Sequence, residues 1–328
     1  MPDVNHSLLL SVEDLKTYLF LRRGVVKAVD GVSFQLREKE TIGIVGESGS
    51  GKSMTCLSIL RLIPAPAGRI VAGRILLDGV DVLGLDEKKM SAEYRGRRIS
   101  MISQDPLTSL NPVFSIGDQV GGPFRYHGLK KGRKGIREAV VDVLGRVKIP
   151  SPAQRLKDYP HQFSGGMRQR VVAAMAIACG PRLLIADEPT SALDVTIQIQ
   201  MLQLLEDIQQ ETRVGLILIT HDLGVAAYIC QRIAVMYAGR IVEFADVRTI
   251  YKRPSHPYTQ ALLNSVPRLG EKKKRLFSIE GQPPDLLTPP TGCAFWPRCE
   301  RKLEICRREY PPQTPIDGEG YVSCWLYK

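Results

Sequence analysis

The stretch "TIGIVGESGSGKS", residues 41–53, joins a short apolar run to a glycine-rich turn that ends in Lys-Ser. Gly46 to Ser53 matches G-x-x-x-x-G-K-[ST] without departure. Glycines let successive backbone N–H groups converge on phosphate oxygens, and the helix that follows presents its positive end to them. Gly46, Glu47, Ser48, Gly49, Ser50, Gly51 and the first helical residues Lys52, Ser53 and Met54 are therefore candidate nucleotide contacts. Lys52 is placed for the β- and γ-phosphates and Ser53 for Mg²⁺.

Two further apolar runs, "LLIAD" at 183–187 and "GLILIT" at 215–220, read as buried parallel strands like "TIGIV". Between them Ile197, Met201, Leu204, Leu205 and Ile208 keep a helical period, which makes a βαβ crossover. The pattern predicts an α/β fold with a parallel sheet. Asp187 and Glu188 follow the second strand as adjacent carboxylates, costly there without a task. Asp187 suits Mg²⁺, and Glu188 suits the role of base for water attacking a γ-phosphate.

"FSGGM" at 163–167 opens another helix, with Met167, Val171, Ala174, Met175 and Ala178 as its apolar stripe. Ser164, Gly165 and Gly166 thus form a second anion site at a helix N-terminus. At this point the chain resembles the ATP-binding subunits of ABC transporters. Their motifs occur here in order: the loop 46–53, Gln104 in "MISQDP", "FSGGM", Asp187-Glu188, "SALD" at 191–194 and His221 in "LITHD". The resemblance implies a P-loop NTPase core with a RecA-like subdomain, an antiparallel β subdomain and an α-helical subdomain at about 105–180. It also implies a head-to-tail dimer with two ATP molecules between the subunits. In that scheme Ser164-Gly165-Gly166 faces the partner's phosphate loop, Gln104 reaches Mg²⁺ and the attacking water, His221 contacts the γ-phosphate, and Asp194 communicates across the dimer.

The chain departs from the family twice. The commonest signature is L-S-G-G-Q, whereas Phe163 and Met167 flank the Ser-Gly-Gly core here. This form resembles one member of the paired ATPases of peptide importers, which implies a heterodimer. The slot for the ring that stacks on adenine holds Leu19, flanked by Tyr18 and Phe20, and either ring can serve. Of the five histidines, His6, His127, His161 and His256 are read as structural.

With 44% hydrophobic and 24% charged residues the composition is that of an ordinary soluble protein. "MPDVNHSLLLSVEDL" has no basic region before a long apolar run, so it does not read as a signal peptide, and a cytosolic chain is expected. The net charge of +11 is concentrated: Lys88 to Arg137 holds eleven Lys/Arg against three Asp/Glu. A nucleic-acid-associated ABC ATPase is the rival reading, but no aromatic-interleaved basic stretch supports it, and no nucleic-acid partner is expected. "EKKKR" at 271–275 reads as an exposed loop.

Eleven of 22 prolines lie between Pro254 and Pro315, where the regular α/β pattern stops. "KRPSHPYTQALLNSVP" at 252–267 and "GQPPDLLTPPTGCAFWPRC" resemble the C-terminal extension of dipeptide, oligopeptide and nickel importer ATPases. Residues 1–251 are thus expected to form the ATP-binding domain and 252–328 the extension. The resemblance implies two transmembrane permease subunits, an extracytoplasmic substrate-binding protein and a peripheral place on the cytoplasmic face of the inner membrane. It gives the basic segment a role beside permease loops and an anionic leaflet. Peptide uptake is the expected function, with nickel or another small solute as the alternative.

Cys293, Cys299, Cys306 and Cys324 lack the C-x₂-C spacing of zinc ribbons. A reducing cytosol argues against disulfides. Spacing leaves tetrahedral zinc, an iron–sulfur cluster and unpaired thiols open. The importer resemblance implies a [4Fe–4S] cluster on these four. Cys56, Cys179 and Cys230 read as small buried hydrophobes of core helices.

Overall fold

The computed structural model describes residues 7–191, 193–266 and 279–328. His6, Ala192 and the charge run at 271–275 lie outside them. The strands are β1 (Leu8–Leu21), β2 (Gly24–Arg37), β3 (Thr41–Val45), β4 (Gly68–Leu77), β5 (Val80–Asp81), β6 (Ile99–Ile102), β7 (Leu183–Asp187), β8 (Gly215–Thr220), β9 (Arg232–Tyr237), β10 (Arg240–Asp246), β11 (Thr314–Pro315) and β12 (Tyr321–Val322). The longer helices are α1 (Lys52–Ile59), α2 (Ile116–Tyr126), α3 (Gly132–Arg146), α4 (Gly165–Ile177), α5 (Val195–Thr212), α6 (Leu223–Ile229) and α7 (Pro257–Ser265). The chain divides into two compact bodies, one of residues 10–35, 41–83 and 219–328, the other of 1–9, 36–40 and 84–218.

The first body contains an antiparallel sheet in the order β2-β1-β4-β5. β1 pairs with β4 from Leu10↔Leu77 to Leu19↔Gly68, with irregularities around Lys16. Gly73 allows the kink: a Cβ there would lie 2.6 Å from the Leu15 Cα. A second set of strands runs β11-β12-β10-β9-β3. β3 pairs in parallel with β9, Ile44 opposite Ala234, and every residue of β3 is buried. The β9–β10 hairpin turns at Ala238 and Gly239, both at positive φ, as a tight two-residue turn between right-twisted strands requires.

The Pro-rich tail does not hang off this body. β12 pairs with β10, Phe244 opposite Tyr321, so the tail extends the sheet that carries the phosphate loop. Glu243 on β10 is fully buried and accepts backbone N–H bonds from Ser255 at 2.7 Å and His256 at 2.9 Å. The His256 Nδ1 in turn accepts the Tyr258 N–H at 3.0 Å and caps α7. These bonds satisfy donors that a helix start leaves open.

In the second body β6 pairs in parallel with β7, Ile102 opposite Ala186, and β8 neighbours β7. Helices α2, α3 and α4 pack on one another. Ser115 caps α2, its Oγ accepting the Asp118 N–H at 3.2 Å. The stripe expected on α4 is too narrow: Val171, Val172, Ala173, Ala174, Ala176 and Ile177 are buried, while Met167, Met175 and Ala178 are half-buried. α2, α3 and β6 all pack on this Ala-rich helix, so its burial spreads beyond one stripe and takes in Gln169 as well. On α5, Met201, Leu204, Leu205 and Ile208 are buried as the period predicts, and Ile197 is half-buried.

Candidate functional site

Buried β3 delivers the chain into a turn that only glycine accommodates. Gly46, Gly49 and Gly51 have φ of +154°, +77° and +103°. A Cβ on Gly46 would lie 2.2 Å from the Met236 carbonyl oxygen, and one on Gly51 2.3 Å from that of Ala28. The Ser50 carbonyl accepts the Gly239 N–H at 2.9 Å, pinning the loop to the β9–β10 hairpin. Lys52 is buried and donates to the carbonyls of Gly46 at 2.8 Å and Glu47 at 2.9 Å, which centres its charge on the loop. Ser48, Gly49 and Ser53 are exposed, and Met54 is half-buried on the first turn of α1. Ser50 Oγ is buried with no hydrogen-bond partner among the described residues.

In the same body His221 is exposed between the last residue of β8 and Asp222, which caps α6 by accepting from Gly224 N–H at 2.7 Å. On β1 the two candidate rings differ. The Tyr18 hydroxyl donates to Asp30 at 2.7 Å, and burial followed by that carboxylate pushes its pKa up to about 12. Phe20 is 41% exposed, with the Arg69 guanidinium 5.3 Å from its centroid.

The second body carries the carboxylate pair. β7 is buried throughout and ends in buried Asp187. Glu188 adopts φ +45°, a left-handed conformation uncommon for a residue with a Cβ and concentrated at functional sites. Its carbonyl accepts from Ser191 through N–H at 3.3 Å and Oγ at 3.1 Å, and its Oε2 accepts from Gln104 Nε2 at 3.1 Å. Ser164 caps α4, its Oγ accepting the Met167 N–H at 3.3 Å. Gly165 lies in the open, whereas a Cβ on Gly166 would strike Ile197 Cγ2 at 2.6 Å. Asp194 is exposed and caps α5 through the Ile197 N–H.

The four tail cysteines, far apart in sequence, line one small cavity with His256 and Trp296. Burial first, then the neighbouring Cys306, Cys324 and Cys299, pushes the Cys293 thiol up to about 12. Among the described residues no three His, Cys, Asp or Glu side chains converge closely enough for a single ion. Neither the iron–sulfur expectation nor the zinc alternative gains support from the arrangement of the described residues. The donor set suits a polynuclear centre, in which each thiolate binds a different metal atom. The His256 Nε2 is buried and has no hydrogen-bond partner among the described residues. Because Nδ1 accepts from Tyr258, Nε2 carries the proton of the neutral ring.

Cys56 and Cys230 are buried as expected, but Cys179, just past the end of α4, is half-buried. His127 packs on Tyr126, and exposed His161 stacks on Tyr159. Sequence reading missed Arg298, Glu243 and Tyr258. Arg298 adjoins Cys299 and Tyr258 follows the capping histidine, but neither neighbour reveals a bond more than two hundred residues back.

Residues 29–191 match the ABC transporter family, and residues 242–306 match the oligopeptide/dipeptide transporter C-terminal region. The dipeptide transport ATP-binding protein DppD of Bacillus subtilis is 51% identical over 97% of this chain and 94% of its own. The oligopeptide transport ATP-binding protein OppD of the same organism is 48% identical over 97% of this chain and 88% of its own. The fold is shared with a dimeric ATP-binding cassette, MJ0796, in a post-hydrolysis state bound to ADP and Pi. That match has a TM-score of 0.64 at 24% identity and covers 73% of this chain and 99% of that one.

Proposed function

The chain belongs to the ATP-binding subunits of ABC transporters, in the group with the oligopeptide/dipeptide C-terminal region, and we propose that it powers uptake of dipeptides or oligopeptides by hydrolysing ATP. The observation that carries the chemistry is Glu188, held left-handed beyond a buried strand with its carboxylate bonded to Gln104. Lys52 and the loop amides hold the β- and γ-phosphates. Ser53, Asp187 and Gln104 hold Mg²⁺, which offsets phosphate charge. Glu188 takes the proton of the attacking water while His221 fixes the γ-phosphate. Phe20 is the ring for adenine, since the hydroxyl of Tyr18 is committed to Asp30.

Ser164, Gly165 and Gly166 serve the nucleotide of a second, non-identical ATPase subunit, and Asp194 faces that subunit. Two permease subunits supply the path across the membrane; among the described residues of this chain no helix is long and apolar enough to cross one. The segment after Gln104 supports their docking: Leu107, Val113 and Phe114 are exposed, as are Lys130, Lys131, Arg133 and Lys134. Exposed apolar and basic residues suit permease loops at the cytoplasmic side of the membrane, with a substrate-binding protein outside. Cys293, Cys299, Cys306 and Cys324 hold a [4Fe–4S] cluster, which supplies a brace for the tail.

The test is uptake of labelled di- and oligopeptides by cells lacking this gene, complemented with the wild-type chain or Lys52→Ala. Only the wild type restores ATP-dependent uptake. Normal peptide uptake in the deletion strain, with loss of nickel uptake, would replace peptides by the metal chelate.

A further inference from the structure

The phosphate loop has a carboxylate in it, and the tail neutralises that carboxylate. Glu47 is the second residue of the loop, and an anion there opposes binding of a polyphosphate. Arg298 meets it with both arms of its guanidinium, 2.7 Å to one carboxylate oxygen and 2.9 Å to the other. The Arg298 side chain is only 4% exposed, and its remaining donors go to the Tyr237 hydroxyl and the carbonyls of Glu280 and Ile279. Glu47 is held at its backbone as well. Its N–H donates to the Tyr258 hydroxyl at 2.9 Å, and its carbonyl accepts from Lys52.

Both clamps come from the extension or its first helix. Arg298 ends the one-turn helix Trp296–Arg298 immediately before Cys299. Phe295, one turn earlier, packs its ring against Tyr237 and Tyr258. The segment that carries Arg298 is tied to the rest of the tail, since the Cys293 N–H donates to the Cys306 carbonyl at 2.7 Å. A forked, buried guanidinium–carboxylate pair fixes orientation as well as charge.

We propose that Arg298 is a positioning residue for ATP binding, which clamps and neutralises Glu47 so that nucleotide affinity depends on the folded cysteine-bearing tail. The inference rests on reading residues 46–53 as the ATP phosphate loop. It needs no assumption about what the cysteines hold. Loss of Arg298 leaves an uncompensated charge in the loop, so Arg298→Ala weakens Mg-ATP binding about tenfold while kcat changes far less.

The experiment measures equilibrium Mg-ATP affinity, KM and kcat on the full chain for the wild type, Arg298→Ala, Arg298→Lys, Glu47→Gln, Arg298→Ala with Glu47→Gln, and Lys52→Ala. Both tryptophans, Trp296 and Trp325, lie in the tail, so their fluorescence reports whether it is folded. The expected signature is rescue: the double variant binds ATP several-fold better than Arg298→Ala, because the repelling charge is gone. A merely structural arginine gives no such rescue. Arg298→Ala within twofold of wild-type affinity, or a double variant no better than Arg298→Ala, overturns the proposal. If Arg298→Ala unfolds the tail, Arg298→Gln with and without Glu47→Gln decides by the same criteria, since glutamine keeps a polar side chain but loses the charge; Arg298→Lys, which keeps the charge, should bind ATP better than Arg298→Ala. Wild-type affinity in Lys52→Ala would instead refute the phosphate-loop reading.

Discussion

Replacing Glu188 by glutamine, alanine and glycine separates its chemistry from its backbone strain. The left-handed conformation at φ +45° costs a residue with a Cβ about 1–2 kcal/mol. Glycine removes that cost but loses about 0.5–1 kcal/mol of extra chain entropy on folding. Alanine and glycine lose the Gln104 hydrogen bond equally. Their difference therefore isolates the strain, and Glu188→Gly should be more stable than Glu188→Ala by about 0.5–1 kcal/mol, the reverse of their usual order. Hydrolysis should fall in all three variants, by about 10²–10⁴-fold, as loss of a general base requires. That is roughly 3–5 kcal/mol of barrier. Glutamine keeps an oxygen to accept from Gln104 and should retain ATP binding. Urea denaturation gives the stabilities, phosphate release the rates, and equilibrium titration the affinities. An alanine variant more stable than glycine by about 0.5–1 kcal/mol, their usual order, would show that the turn stores no strain at Glu188. Phosphate release by Glu188→Gln within tenfold of wild type would remove Glu188 from the proton-transfer step.

Gly51→Ala forces a Cβ to within 2.3 Å of the Ala28 carbonyl oxygen at φ +103°, and it should cost more than about 2 kcal/mol and abolish ATP binding; a stable, ATP-binding variant contradicts the packing at the loop. Glu243→Gln gives up one of two buried acceptors and should lower stability by about 1–3 kcal/mol, followed by tail tryptophan fluorescence in urea. Burial raises the Glu243 pKa, so its favourable contribution is complete below the unfolded carboxyl value and declines as pH rises toward the folded one. The wild-type advantage over Glu243→Gln should then be larger at pH 4 than at pH 7, and an advantage that grows with pH contradicts burial as the cause. Anaerobically purified wild type should be brown, absorb near about 400 nm and contain iron, with the colour lost in Cys299→Ser. A colourless protein with stoichiometric zinc refutes the cluster.

The one-dimensional pattern determined the local chemistry here. A buried run before G-x-x-x-x-G-K-S, carboxylates after a second buried run, and Ser-Gly-Gly before an apolar helix are each contiguous, and their physics acts within a turn. Periodicity located Met201, Leu204, Leu205 and Ile208 in the core for the same reason. Tertiary structure decided what depends on distant partners. The broad burial of the second half of α4 follows from the elements around it, and the left-handed Glu188 follows from the turn closed by Ser191. The gathering of Cys293, Cys299, Cys306 and Cys324 depends on a proline-rich path with no period to read. The Arg298–Glu47 pair spans 251 positions, and no spacing rule reaches so far. Only β12 joining β10, with Glu243 holding the start of α7, brings the tail to the phosphate loop.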